Sequence, residues 1–145
     1  MIDNYIALEK ITPNKKQIKL LFELLNSRKF SISHISKPSF KDHKNFVLSN
    51  PYRRWYIVKI KKLYIGTVYI QYDNSIGLNF TKKTNILIIK SLLNLIIKNI
   101  KPLKEKPSAR YKNFFINTPF KNKNLQNILI KLGYIQSQIS FIIKK

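Results

Sequence analysis

Apolar and polar residues follow two rhythms along this chain, and the changes from one to the other mark out its elements. Tyr5 to Ile11 reads as an opening strand. Thr12-Pro13 then makes a helix start, with the hydroxyl as N-cap and proline at the first helical position. Ile18, Leu21, Phe22 and Leu25 follow at helical spacing, and Ser27 to Pro38 has no period and reads as loop. A second, short helix begins at Ser39, where Asp42 three residues on comes close to a capping box. Phe40, His43, Phe46 and Val47 would share its inner side, and Asn50-Pro51 stops it.

Three strand-like runs come next: Trp55 to Ile60, Leu63 to Tyr72 and Ser75 to Phe80. Lys61-Lys62 and Asp73-Asn74 supply the turns between them. A long amphipathic helix spans about Thr84 to Ile100, with Ile86, Ile89, Leu93, Ile96, Ile97 and Ile100 on one broad face. Pro102 and Pro107 bracket a Lys-rich connector before a short strand, Asn113 to Asn117. Asn122 opens the last helix, with Leu125, Ile128, Leu129 and Leu132 inward and Gly133 in the C′ position. Beyond it, Ile135, Ser137, Ile139, Phe141 and Ile143 alternate with Gln136, Gln138 and Ser140, which predicts a closing strand. The order is β-α-α-β-β-β-α-β-α-β, an α+β (mixed α/β) fold with a mixed sheet of about six strands and helices on both faces. Residues 1-145 read as a single domain.

Composition narrows the function classes. With no cysteine there is no disulfide scaffold, no Cys-zinc site and no thiol nucleophile, which suits a reducing, cytoplasmic setting. The most apolar stretch, Ile86 to Ile100, is interrupted by Lys90, Asn94, Lys98 and Asn99, so no membrane span is expected. The net charge is +22. Its 28 cations are mostly lysine, spread over the whole chain, whereas specific nucleic-acid readers lean on arginine. No specific nucleic-acid partner is expected; an anionic small ligand is an equally good use of the charge. The 3 glycines, Gly66, Gly77 and Gly133, lie far apart, which excludes a P-loop and a dinucleotide fingerprint.

The C-terminal segment carries a resemblance. Phe115-Ile116-Asn117, then Asn122, then Ile128-Leu129-Ile130-Lys131-Leu132-Gly133-Tyr134 is similar to the end of the GNAT acyl-CoA N-acyltransferase superfamily. Upstream, Arg28-Lys29-Phe30-Ser31, Ser39, His43 and Trp55-Tyr56-Ile57-Val58 resemble its branch acting on nucleotide-linked amino sugars, and Ile65-Gly66 and Ile76-Gly77 match its paired "IG" positions. The resemblance implies acetyl-CoA (or another acyl-CoA) as co-substrate, a small-molecule amine acceptor, and a monomer or homodimer. It places Leu78, Asn79 and Phe80 along the pantetheine arm, with the Leu78 or Asn79 N–H as donor to the thioester carbonyl, and Asn117 and Asn122 on the arm's far side. Lys82, Lys83, Thr84 and Asn85 would meet the coenzyme diphosphate at a helix N-terminus. The chain departs from the family where that turn is Gly-rich, where an acid tyrosine would align with Leu129, and where a glutamate would align with Ser75.

Only 2 histidines exist, and by the same resemblance His43 and His34 sit on the acceptor side as candidate catalytic bases. On residue chemistry alone His34 reads as a loop residue and His43 as a half-buried helix residue, each more often structural than catalytic. Leu78 and Phe80 read equally as core, and the bland readings of Asn117 and Asn122 are a strand-end turn and a helix cap. Tyr52, Arg53 and Trp55 combine cation and aromatics in a way that can stack on a sugar or nucleotide. The carboxylates are scattered, and no spacing reads as a metal site. The expected function is acyl transfer from coenzyme A to a small primary amine, such as a nucleotide-linked amino sugar. The alternatives are a catalytically silent GNAT-like binding domain and, less favoured, a basic nucleic-acid-binding protein.

Overall fold

The computed structural model describes residues 6–29 and 36–145. Its elements are β1 (Ile6–Lys10), α1 (Lys15–Ser27), α2 (Phe40–Ser49), β2 (Arg54–Ile60), β3 (Leu63–Ile70), β4 (Ser75–Phe80), α3 (Ile86–Asn99), β5 (Phe115–Asn117) and α4 (Lys123–Lys131). The strands form one 5-stranded sheet in the order β1-β2-β3-β4-β5. The first four are antiparallel neighbours and β5 lies parallel to β4.

Alternation along the strands sorts side chains to the two faces of this sheet. Val58, Val68, Ile70, Ile76 and Leu78 point to one face, where Ile89, Leu92, Leu93 and Ile96 of α3 and Leu125, Ile128 and Leu129 of α4 cover them. Trp55 and Ile57 point to the other, under Ile18, Leu21 and Leu24 of α1 and Val47 of α2. Each cluster is apolar surface withdrawn from water, the main favourable term in folding.

The helix starts follow the short polar residues. Ser39 caps α2, accepting from the Asp42 N–H, and Asn50 ends it in the left-handed region (φ 44°). Asn85 caps α3 and Asn122 caps α4, each accepting an N–H three residues on. Helix α1 departs from expectation: its N-cap is Asn14, not Thr12, and Pro13 lies before the helix. Gln17 is the reason. Its buried amide accepts from the Thr12 N–H at 2.7 Å and donates to the Lys10 carbonyl and Glu9, tying the end of β1 to the first turn.

Other boundaries shift by a residue or two: β3 stops at Ile70, α3 starts at Ile86 and β5 at Phe115. Phe40, expected inward on α2, is half exposed and meets Phe22 edge to face, and Ile97 faces outward on α3. The larger correction is at the end of the chain. Residues 135–145 form no strand, so the sheet has five and not six. Ile135, Phe141 and Ile143 are 92%, 87% and 93% exposed. Alternation expresses a residue-level fit to a pleated surface; the ladder partner is a long-range matter that it does not encode.

Asn74 connects the sheet to the segment before β5. Fully buried, with φ 71°, it donates through Nδ2 to the Leu103 and Tyr111 carbonyls and accepts from the Leu103 N–H. Its own carbonyl accepts from Phe115 N–H, the first residue of β5. Asparagine is among the few side-chain-bearing residues that tolerate this backbone region.

Candidate functional site

Strand β4 is the meeting point of two features. At the two ends of its ladder with β3, Gln71 N–H donates to the Ser75 carbonyl at 2.9 Å and Thr81 N–H to the Ile65 carbonyl at 3.1 Å. Bonding alternates along an antiparallel ladder, so the odd-numbered residues of β4 turn their backbone groups to β3 and the even-numbered ones turn theirs to β5. Pairing with β5 runs through Ser75–Phe115, Ile76–Ile116 and Gly77–Asn117, and there it ends. The Leu78 carbonyl and the Phe80 N–H and carbonyl therefore face a side of the sheet with no strand beside them. The Asn79 N–H faces β3, which excludes it from this edge. The Leu78 side chain is core and Phe80 packs against that core.

Just beyond β4, Lys82 and Lys83 are exposed ahead of α3. The Asn85 side chain takes the Ile88 N–H, the Asn85 carbonyl takes the Ile89 N–H, and the Thr84 carbonyl accepts from Asn124. The first-turn N–H groups of Ile86 and Leu87 are left to solvent or a ligand, at the positive end of the helix. No glycine is needed for that much. The Asn117 side chain is half-buried at the end of β5. Asn122 acts as a helix cap, its side chain accepting from Leu125 N–H at 3.2 Å.

The second feature lies on the other face of the sheet, under α1 and α2. A cavity of about 260 Å³ is lined by Arg28, His43, Phe46, Tyr52, Trp55, Tyr69 and Asn79 among others. Tyr52 and Tyr69 stack with ring centroids 4.1 Å apart, and Trp55 meets Tyr52 edge to face at 5.0 Å. Gly77 is what lets Tyr69 lie there: a Cβ at that position would run into the phenol ring. Gly66 likewise lies too close to the Asn79 carbonyl to carry a side chain. Burial raises the pKa of both tyrosines, so neither ionises near neutral pH.

His43 is 5% exposed, and its Nε2 lies 3.1 Å from the Ile18 carbonyl. A carbonyl only accepts, so Nε2 carries the proton and Nδ1 is the basic nitrogen. Burial lowers the imidazole pKa, with the Ile18 hydrogen bond acting the other way. The ring is thus a neutral base at pH 7.

The structure gathers His43, Tyr52 and Trp55 at this cavity and brings Asn79 to its floor. Arg53 points elsewhere, donating to the Lys101 carbonyl at 2.9 Å. His34 lies outside the described residues. Tyr69 and Phe46 were not among the expected contact residues. For Tyr69 the signal was its register opposite Gly77, which requires the strand pairing to be known. Ser75 and Leu129 are both buried, so neither position supplies an acid or base to solvent-accessible chemistry. Among the described residues no cluster of potential metal ligands occurs, and no helix is long and apolar enough to cross a membrane.

In overall fold the chain is similar to solved acetyltransferases. The chain has the GNAT fold. An acetyltransferase from Thermus thermophilus is 14% identical with a TM-score of 0.57, over 71% of this chain and 74% of that one. Spermidine N-acetyltransferase from Vibrio cholerae, a dodecamer, is 16% identical with a TM-score of 0.56, over 93% of this chain and 82% of that one. The microcin C7 self-immunity acetyltransferase, solved with acetyl-CoA and AMP, is 15% identical with a TM-score of 0.55, over 91% and 79%. No protein-family model and no curated protein matches the sequence. In this GNAT fold the parting of β4 and β5 and the aromatic cavity use opposite sides of the same few residues, 77–80.

Proposed function

We propose that the protein is an acyl-CoA-dependent N-acyltransferase that acetylates the primary amine of a small molecule, a nucleotide-linked amino sugar being the acceptor class favoured by the sequence. The observation that carries this reading is the double use of β4. Its Leu78 carbonyl and Phe80 N–H and carbonyl lie beyond the last rung with β5, while Asn79 lines an aromatic cavity with a neutral histidine in its wall.

The unpaired Leu78 carbonyl and Phe80 N–H suit the amide groups of a pantetheine arm, which would take the place of the missing strand. Lys82, Lys83 and the free N–H groups at the start of α3 suit the diphosphate. Asn117 flanks the same gap. The thioester brings the activated acyl group; the amine nitrogen bonds to its carbonyl carbon, the carbon–sulfur bond breaks, and one proton leaves the nitrogen. Nδ1 of His43 accepts that proton, directly or through a water. The departing thiolate is protonated by solvent, because Leu129 stands where the family's acid would be. Positioning of the two substrates supplies most of the acceleration.

A panel of small amines, with acetyl-CoA as donor, tests this by free-thiol release. The chain has no cysteine, so every thiol detected is coenzyme A. Turnover with an amine above the amine-free rate is the expected result. The buried Leu129 and Ser75 favour a second reading, a GNAT-like domain that binds without catalysing; acetyl-CoA binding with no turnover for any amine would establish that one instead.

A further inference from the structure

Arg28 follows directly on the last residue of α1, where the backbone turns extended, and its side chain joins the cavity wall. Burial lowers its pKa and the Tyr52 and Tyr69 phenols oppose that shift, yet a guanidinium keeps its charge at neutral pH. A half-buried cation of this kind is normally matched by a carboxylate. Here none of the described carboxylates forms an ion pair with it: the ion pair present is Glu9 with Lys59. Asp42, at the rim of the same cavity, is exposed and its Oδ2 accepts from the Ser39 hydroxyl at 2.7 Å. The neighbouring stretch Phe30-Ser31-Ile32-Ser33-His34-Ile35 contains no acid at all, and Asp3 is the one carboxylate outside the described residues.

We infer that the cavity selects ligands bearing an oxyanion, a carboxylate or a phosphate, next to a single flat or apolar ring, with Arg28 as the specificity-determining residue. The Tyr52–Tyr69 stack and Trp55 supply the flat surface, in a cavity of about 260 Å³. The five donors of a guanidinium fit a carboxylate or phosphate in a fixed fork, which a lysine cannot reproduce. The inference rests on the transferase reading only in calling the ligand an acceptor; recognition by Arg28 stands apart from catalysis.

Trp55 is the only tryptophan and lines the cavity, so its emission reports occupancy. Two matched pairs of amines serve as probes: benzylamine against 4-(aminomethyl)benzoate, and tyramine against its O-phosphate. The anionic member of at least one pair should bind 10-fold or more tighter, about the range of a charge-assisted hydrogen bond, and the pair that responds tells carboxylate from phosphate. Arg28→Gln should abolish the preference and Arg28→Lys should retain part of it. Equal affinity within both pairs, no saturable change with any probe, or an undiminished preference in Arg28→Gln would overturn the inference. A preference lost in Arg28→Gln, in a protein that shows no acetyl-CoA binding, upholds the inference and removes the transferase reading. Equal kcat/KM for acetylation of both members of both pairs does the reverse.

Discussion

At the scale of the residue, the proposed base is His43. Its Nε2–H is committed to the Ile18 carbonyl, which leaves Nδ1 as base. His43→Gln keeps an N–H for that carbonyl but cannot take up a proton. It should lower kcat for acetyl transfer by about 10²- to 10⁴-fold, the usual worth of a general base, and leave acetyl-CoA binding unchanged. The same residue sets a pH dependence. Burial holds the folded imidazole pKa below its ordinary value, so between the two values the unfolded chain binds more protons. Stability must then fall as the pH drops through that window, from about 6.5 downward. Urea titrations at pH 7.5 and 5.5 should show the loss, and His43→Gln should show less of it.

At the scale of the element, the gap between β4 and β5 depends on what fixes β5. Asn74 does much of that, through three side-chain hydrogen bonds to the connector and one backbone bond to Phe115. Asn74→Ala removes the three and strands buried backbone groups, so chemical denaturation should show a loss of about 2–4 kcal/mol. The start of α3 is the other half of the gap. Changing Lys82 and Lys83 together to Ala should weaken acetyl-CoA binding by about 1–3 kcal/mol without unfolding the protein, since both are exposed. Local chemistry made most elements legible: the caps at Ser39 and Asn122 and the stop at Asn50-Pro51 fall where the residue types put them. What the residue types left open depended on pairing. Asp73-Asn74 read as a turn, but its hold on Leu103 and Tyr111 spans a separation no local pattern carries. The closing alternation from Ile135 read as a strand, and it has no ladder.

At the scale of the whole molecule, charge and fold have to be weighed together. The sheet, its helices and the crossing from β4 to β5 were readable because several patterns agreed; the cavity was not, because Arg28, Tyr52 and Tyr69 come from three separate segments. The +22 charge attracts any polyanion. Binding to duplex DNA should therefore be measurable at low salt and should collapse between about 50 and 200 mM salt through counterion release, without sequence preference. A sequence preference that survives physiological salt would point to a nucleic-acid function instead. The account as a whole stands on β4 offering its open edge to a coenzyme. Calorimetric titration of the folded, full-length protein with acetyl-CoA tests that most directly. One molecule bound per chain, with sub-millimolar affinity that weakens in the Lys82/Lys83 double variant, is the predicted result; no heat of binding at millimolar acetyl-CoA would contradict it.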